Sequence, residues 1–227
     1  MGSGSYKITV GLLGAIVSAA IGLALALNWP RIQDDWKQFT GPSLWRPTLA
    51  SWAPVQQTAV RTGTDGSLQL TSPSGYMRWF GAYIPDPRLC DYRLTLDARS
   101  SSEPGAAAYG YGIAPGVILG AAGVPQGPGV QYDHAFNGLR YPDYPYDNAD
   151  NQSGYIDPET TFADGTTIPI NDQWNHWTVV VRGSIANVSL DGHKARPLSL
   201  NAACTGGIYL RVWNGTAYFR NIVISKP

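Results

Sequence analysis

The stretch that most constrains the fold is residues 174–191, WNHWTVVVRGSIANVSLD, in which apolar and polar residues alternate on both sides of Gly183-Ser184. Alternation with a period of two places every second side chain on the same face of a strand. A two-residue loop that begins with Gly fits the twist of a β-hairpin. We therefore predict an antiparallel hairpin that turns at Gly183-Ser184. Its buried face carries Trp177, Val179, Val181, Ala186, Val188 and Leu190.

Further strand-sized runs recur between turn signals in residues 55–227. The 26 Gly and 17 Pro of the chain suit many short strands joined by tight turns, because both residues interrupt regular structure. No segment after residue 40 shows a convincing helical period. The pattern predicts an all-β sandwich. The candidate strands are 67–71, 76–84, 91–99, 106–114, 129–133, 208–213 and 216–224, with a Gly/Pro-rich stretch, 115–128, between two of them.

Four short segments near the end of the chain carry a family resemblance: WNHW at 174–177, SLDG at 189–192, GGI at 206–208 and YFRNIVI at 218–224. Together they resemble the concanavalin A-like lectin/glucanase superfamily, above all its laminin-G-like and 3-keto-disaccharide hydrolase-like branches. GVQYD at 129–133 is similar to a central strand of that fold. The resemblance covers about residues 55–227 and implies a jelly-roll β-sandwich. Its motifs are strand and turn chemistry, so it speaks for the fold more than for a function.

Residues 8–27, ITVGLLGAIVSAAIGLALAL, form an apolar run without a charged residue. A helix of this length crosses a hydrocarbon core of about 30 Å. We expect an uncleaved signal-anchor, with Lys7 in a short cytoplasmic N-terminus, residues 1–7. The alternative is a signal peptide cleaved at the small-x-small site Ala24-Leu25-Ala26. Residues 28–54 would then be a juxtamembrane lead-in to the domain formed by residues 55–227.

Small residues recur at four-residue spacing in the predicted transmembrane helix, at Gly14, Ser18 and Gly22. Such a strip lets a second helix approach closely, which indicates a membrane-protein partner or self-association. The alternative is that Gly and Ala are simply common in membrane spans. Arg and Lys lie on both sides of the span, so the positive-inside rule leaves its orientation open. The cysteines and the aromatic-rich domain favour a single-pass protein of the cell membrane with its C-terminal domain extracytoplasmic.

Cys90 and Cys204 are the two cysteines of the chain, and both fall in strand-like sequence. We expect them to form a disulfide, which is plausible chemistry for an extracytoplasmic domain. The alternative is two separate buried thiols, since free Cys is among the most buried residue types.

Charge excludes one class of partner. The formal net charge is zero, charged residues make up 14% of the chain, and Lys and Arg form no cluster in the sequence. Binding to nucleic acid depends on neutralising phosphates, so we expect no nucleic-acid partner.

The carboxylates offer little to a glycosidase, which uses two of them around the scissile bond. Glu103 and Glu159 are the only glutamates, and the Glu-x-Asp-x-x-Glu strand motif of several glucanases is absent. Asp133, in a predicted strand, is the best catalytic candidate, against the alternative of a satisfied or solvent-facing strand residue. The histidines form no Ser–His–Asp set and no metal-spaced cluster.

Residues 132–164 are rich in Tyr, Asp and Asn and too long for an ordinary connection, so we read them as a functional loop or a mobile one. Tyrosines stack on sugar rings and also serve protein surfaces. The candidate ligand-binding residues are Tyr132, Arg140, Tyr141, Asp143, Tyr144, Tyr146, Asn148 and Tyr155. Asp147, Asp150 and Asp157 are candidate Ca²⁺ ligands, although their spacing fails the EF-hand pattern and a solvated acidic loop is the alternative. We expect no other cofactor.

Three functions remain open on the sequence. The one we favour is a membrane-anchored module that binds an envelope glycan or a partner protein. The second is an accessory subunit that docks into a membrane complex through Gly14, Ser18 and Gly22. The third is implied by the resemblance alone: a 3-keto-disaccharide hydrolase-like glycosidase in which Asp133 works with a loop acid.

Overall fold

The structure is a computed structural model that describes residues 44–72, 80–85, 90–102, 109–120, 123–144, 159–169, 172–201 and 206–227. By its internal contacts the chain divides into two units, Met1–Leu44 and Trp45–Pro227. Apart from Leu44, the described residues belong to the second unit.

Short antiparallel strands form almost all of the regular structure. The strands are β1 (Leu44–Trp45), β2 (Ala53–Val55), β3 (Ala59–Thr62), β4 (Leu68–Thr71), β5 (Gly81–Ile84), β6 (Tyr92–Ser102), β7 (Gly110–Leu119), β8 (Pro125–Pro128), β9 (Val130–Asp133), β10 (Gly138–Arg140), β11 (Asp143–Tyr144), β12 (Asn175–Arg182), β13 (Ile185–Leu190), β14 (His193–Lys194), β15 (Leu198–Ser199), β16 (Gly207–Trp213) and β17 (Gly215–Ser225). In the described residues, a 3₁₀ turn at Leu49–Ser51 lies between β1 and β2, and another at His134–Phe136 lies between β9 and β10.

The strands form two antiparallel sheets. Sheet I has the order β14-β13-β12-β6-β17-β4-β3, with β15 also pairing with β13. Sheet II has the order β10-β9-β7-β16-β5-β2, and β8 adds to β7 and carries β11. The all-β sandwich predicted from the sequence is confirmed.

The hairpin predicted at residues 174–191 is β12 and β13. Arg182 pairs with Ile185, which leaves Gly183-Ser184 as a two-residue loop, and Gly183 has the positive φ of 56° that the turn requires. The residues predicted to face inward are all buried. The chain turns again after β13 at Asp191-Gly192, where both residues have positive φ.

Aromatic rings from both sheets meet in the core. Tyr111 of β7 is fully buried, lies edge-on to Trp177 and Phe219, and accepts a hydrogen bond of 2.9 Å from Trp177 Nε1. Edge-to-face pairs add about 0.5–1.5 kcal/mol to the burial of their area. Sheet I supplies Trp177 and Phe219, and sheet II supplies Tyr111, so these contacts hold the two layers together.

The Phe-x-Asn motif at residues 219–221 has a structural explanation. The pairing of β17 with β6 shifts register between Arg220 and Val223, where Asn221 takes a left-handed φ of 52°. Asn tolerates this conformation better than most residues. Its side-chain amide donates a 2.7 Å hydrogen bond to Asp97 Oδ2, so the residue both forms the bulge and ties it to β6.

The Gly/Pro-rich stretch 115–128 differs from the sequence prediction. Its first residues extend β7 to Leu119, and its last form β8, with Ile118 opposite Gln126 and Leu119 opposite Pro125. Proline offers no N–H to a partner strand, which made the stretch read as a loop. Here β8 is a short strand that forms two residue pairs with β7 on one side and two with β11 on the other. Such short pairings need few backbone N–H donors, so the prolines of β8 are tolerated.

The predicted membrane anchor and the predicted disulfide both involve residues that the structure does not describe. Among the described residues no helix is long and apolar enough to span a membrane, and the predicted anchor, with Gly14, Ser18 and Gly22, lies outside them. Cys90 is disulfide-bonded. Cys204 lies outside the described residues, so the pairing of the two stays a prediction.

Candidate functional site

The outer face of sheet II, opposite the core, carries a group of buried polar and aromatic side chains. They come from β9, β10, β11 and β16, on positions that alternate with core residues such as Tyr132 and Leu210. We call this group the Arg211 cluster. Its members are Gln131, Asp133, Arg140, Tyr144, Arg211 and Trp213.

Arg211 lies at the centre of the cluster and is 3% exposed. Its Nη1 donates a 2.7 Å hydrogen bond to Oε1 of Gln131. The two side chains reach each other across β7 because Gly112 stands between them in the sheet. A Cβ at Gly112 would lie 3.1 Å from Gln131 Cγ and 3.2 Å from the Tyr144 hydroxyl, so the glycine leaves room for these two side chains to pack against β7.

Asp133 is a buried carboxylate at the end of β9. Its Oδ1 accepts a 3.1 Å hydrogen bond from the Ala135 backbone N–H, and its Oδ2 lies 3.5 Å from Nε of Arg140. Burial raises the pKa of Asp133 above its usual value, and the positive charges of Arg140 and Arg211 counter only part of that rise. A carboxylate in this setting takes up a proton more readily than an exposed one.

Aromatic rings flank the Arg211 guanidinium. Its Cζ lies 5.6 Å from the ring centroid of Tyr144 and 5.1 Å from that of Trp213. Tyr144 packs edge-on against Tyr209, with ring centroids 5.9 Å apart. A Cβ at Gly110 would come within 2.5 Å of the Trp213 ring, so this second glycine lets the indole lie close against β7. Cation–π contacts of this kind hold the guanidinium in place.

The structure brings together three of the residues proposed from the sequence, Asp133, Arg140 and Tyr144. Tyr132 points to the opposite face, where it is 0% exposed and its hydroxyl contacts Asn137 Oδ1 and the Pro169 carbonyl. Tyr141 lies apart, with its hydroxyl donating to Glu159 at 2.7 Å. Asp143 is exposed beside Tyr144.

The remaining candidates from the tyrosine-rich stretch lie outside the described residues. They are Tyr146, Asn148 and Tyr155 for ligand binding, and Asp147, Asp150 and Asp157 for Ca²⁺. In the part of the chain that the structure describes, no group of three or more His, Cys, Asp or Glu side chains is arranged to hold a metal ion.

Sequence reasoning missed Gln131, Arg211 and Trp213. The signal was present: in GIYLRVW at 207–213, Tyr209 and Trp213 share a face with Arg211 while Ile208, Leu210 and Val212 form the other, so the strand reads as buried on both faces. A buried arginine is rare unless it is paired, so an arginine between core positions of a strand marks a site worth testing.

Comparison with known proteins places the chain in a family. A family model described as a 3-keto-alpha-glucoside-1,2-lyase-like domain matches residues 36–225. The chain belongs to this family. The resemblance to its branch of the concanavalin A-like superfamily is thereby confirmed. The 3-keto-alpha-glucoside-1,2-lyase-like domain includes the whole Arg211 cluster.

Solved structures agree with the fold of this lyase-like domain. The carbohydrate binding module CBM66 from Bacillus subtilis superposes with a TM-score of 0.51 at 15% identity, over 78% of this chain and 96% of that one. An alginate lyase from Pseudomonas aeruginosa gives 0.50 at 12% identity, over 80% of this chain and 100% of that one. At such identities the likeness shows a shared β-sandwich. None of the curated proteins compared with the chain matches it.

Proposed function

We propose that the domain binds a carbohydrate on the outer face of sheet II through the Arg211 cluster. The observation that carries the proposal is the buried Arg211–Gln131 pair beside Asp133 and Arg140, with Tyr144 and Trp213 on either side of the guanidinium. Sugar hydroxyls both donate and accept hydrogen bonds. Guanidinium and carboxylate groups held by their neighbours supply the matching partners.

Burying the charged groups of the Arg211 cluster costs free energy of folding, which supports a role for them beyond folding. Arg211, Asp133 and Arg140 are charged groups taken largely out of water, and hydrophobic residues of similar size often stabilise a protein as well or better. Family membership and the CBM66 fold support carbohydrate as the ligand class.

Glycan-array screening followed by calorimetric titration of the best neutral oligosaccharide tests the proposal. We expect Asp133→Asn and Arg140→Gln each to weaken binding by about tenfold or more, since a hydrogen bond to a charged group contributes about 1.5–3 kcal/mol. Arg182→Gln, on the outer face of sheet I, is the matched control and should change affinity by less than about twofold. Binding that survives both cluster variants would remove the Arg211 cluster as the site.

A second candidate function is the cleavage of a 3-keto-α-glucoside, the chemistry in the family's name. In a 1,2-lyase a base takes the proton on C2, next to the keto group, and the C1–O bond breaks with its electron pair leaving on oxygen. Asp133 is the candidate base because burial raises its pKa. If so, Asp133→Asn should lower turnover of a 3-keto-disaccharide by about a hundredfold or more. Turnover equal to wild type would exclude this role.

We also propose that residues 8–27 anchor the domain in the cell membrane with residues 55–227 extracytoplasmic. The apolar run supports the anchor, and the strip of Gly14, Ser18 and Gly22 supports a helix partner within the membrane. The full chain should stay with membranes after alkaline carbonate washing. Gly14→Leu with Gly22→Leu should reduce co-purification of a membrane partner; an unchanged set of co-purified proteins would contradict the helix-packing role.

A further inference from the structure

Positive charge is concentrated on the outer face of sheet I, although the chain as a whole is neutral. Strand pairing places these residues on one face. Among the described strand residues that point outward from sheet I, Asp97 is the one carboxylate. The cationic side chains of the same face are Arg61, Arg93, Arg99, Arg182, Lys194 and Arg220, with His176 beside Asp97.

One row of this face crosses five neighbouring strands or their ends. Arg61 of β3 pairs with Gln69 of β4, Gln69 with Tyr218 of β17, and Tyr218 with Arg99 of β6. Trp174 directly precedes β12 and extends the row, because Asn175 pairs with Ala98. Neighbouring strands lie about 4.8 Å apart, so the row runs perpendicular to the strands and is close to straight. We call these residues the Arg99 row.

Arg99 is held between two aromatic rings. Its guanidinium carbon lies 4.9 Å from the Trp174 ring centroid and 4.6 Å from the Tyr218 centroid. Its Nε is shielded from solvent and has no hydrogen-bond partner among the described residues. The carboxylate of Asp65 already accepts hydrogen bonds from the hydroxyl and backbone N–H of Ser67, which lower its pKa more than the charge of Arg99 does.

Arg220, one row away, provides the contrast. Its guanidinium also lies over Trp174, at 4.0 Å, but its Nε is 3.4 Å from Asp97 Oδ2. Asp97 further accepts hydrogen bonds from Asn221 and contacts Nδ1 of His176 at 2.8 Å. The charge of Arg220 is therefore balanced on this surface, whereas that of Arg99 has no carboxylate within 4 Å in the described part of the chain.

We propose that the Arg99 row binds an acidic polysaccharide, with a uronate carboxylate on Arg99 and a sugar ring against Tyr218. A guanidinium fixed by two rings presents its N–H groups in the planar fork that carboxylates prefer. Arg61 and Gln69 continue the row and offer a second cation and an amide. The straight course across the strands fits an extended glycan chain that carries charge at intervals.

A lipid surface fits this face less well. Membrane docking by a protein face depends on apolar side chains that insert between headgroups as well as on positive charge. The large hydrophobic side chains that are strongly exposed in the described residues are Leu49, Ile118 and Ile185. Only Ile185 is an outward-pointing strand residue of sheet I, where it pairs with Arg182 at the hairpin turn, away from the Arg99 row.

The test titrates the full chain with sodium polygalacturonate and measures the change in Trp fluorescence. Neutral dextran is the control polymer. We expect binding to polygalacturonate only. Arg99→Gln should weaken it by about tenfold or more, and Arg99→Lys should recover only part, because Lys keeps the charge but not the stacked fork. Arg93→Gln, on the same strand and face but outside the row, removes the same charge and should change affinity by less than about threefold.

The contradicting results are distinct. Equal losses for Arg99→Gln and Arg93→Gln would show attraction by net charge without a site. Binding to phosphatidylglycerol vesicles with none to polygalacturonate would assign the face to a membrane. Thermal unfolding of each variant excludes loss of fold as the cause. Asp133→Asn lies on the other sheet and should leave polygalacturonate affinity unchanged, so this inference and the proposed function fail separately.

Discussion

Two aspartates show how position in the sandwich sets the behaviour of a single residue. Asp133, on sheet II, is buried, and burial raises its pKa despite Arg140 and Arg211 nearby. Asp97, on sheet I, is also partly buried, which alone would raise its pKa. Hydrogen bonds from His176, Asn221 and Arg220 outweigh that effect and lower it. A carboxylate charge is therefore destabilising at Asp133 of sheet II and stabilising at Asp97 of sheet I.

For Asp133 we predict a pH-dependent stability cost. A raised pKa in the folded state contributes stability that is fully present below the unfolded pKa of about 3.9 and is lost as pH rises through the folded pKa. The free energy of unfolding of wild type relative to Asp133→Asn should therefore fall as pH rises above about 3.9, the ordinary pKa of an Asp side chain. Urea titrations at a series of pH values measure it. A difference that grows with pH would contradict the buried-carboxylate account.

For Asp97 we predict the opposite sign. A lowered pKa in the folded state contributes stability that is present above the unfolded pKa and is lost as pH falls through the folded pKa. Wild type should exceed Asp97→Asn by about 1 kcal/mol at pH 7, a modest value because His176 and Arg220 are partly exposed. The difference should shrink as pH falls below about 3.9 and the carboxylate takes up a proton. A constant difference across this range would mean that the carboxylate charge is not the cause.

At the level of elements, period-two alternation predicts which residues share a face, but it does not say which face becomes a site. Tyr132 and Asp133 are neighbours in β9 and must point to opposite sides. Both were candidate site residues, but only one of them can lie on the face that carries the site. The structure shows that Tyr132 is the one that points into the core. The hairpin was predictable because its turn and both strands are local in sequence. The Arg211 cluster was not, because β16 meets β9 only through long-range pairing with β7.

Close strand packing makes some glycines indispensable. A Cβ at Gly207 would lie 1.7 Å from the carbonyl oxygen of Ile84, a backbone atom of the paired strand β5 that cannot rotate away. Gly207→Ala should lower the free energy of unfolding by about 3 kcal/mol. At Gly63 the added carbon meets the side-chain ends of Ser67 and Asp65, which can move, so Gly63→Ala should cost less than about 1 kcal/mol. Equal effects in chemical denaturation would show that β5 and β16 pack less tightly than described.

The domain as a whole separates two kinds of surface. One sheet presents the Arg211 cluster and the other presents the Arg99 row, with the aromatic core between them. Such an arrangement lets one small domain hold two ligands without overlap, since the two faces share no side chain.

We predict that Cys90 pairs with Cys204. A link between such distant positions restricts the unfolded chain and contributes about 4–5 kcal/mol in chain-entropy models. Alkylation without reduction should leave the intact mass unchanged, and alkylation after reduction should add two groups. Two alkylated thiols in the unreduced protein would contradict the pairing.

The most direct test of the central claim is chemical-shift mapping of the isotope-labelled protein with the neutral oligosaccharide selected by glycan-array screening. The Trp213 indole N–H and the backbone amides of Gln131, Asp133 and Arg211 should shift on addition of the sugar, and the Trp174 indole should not. If the Trp213 and Arg211 signals stay in place while others move, the outer face of sheet II is not the carbohydrate site.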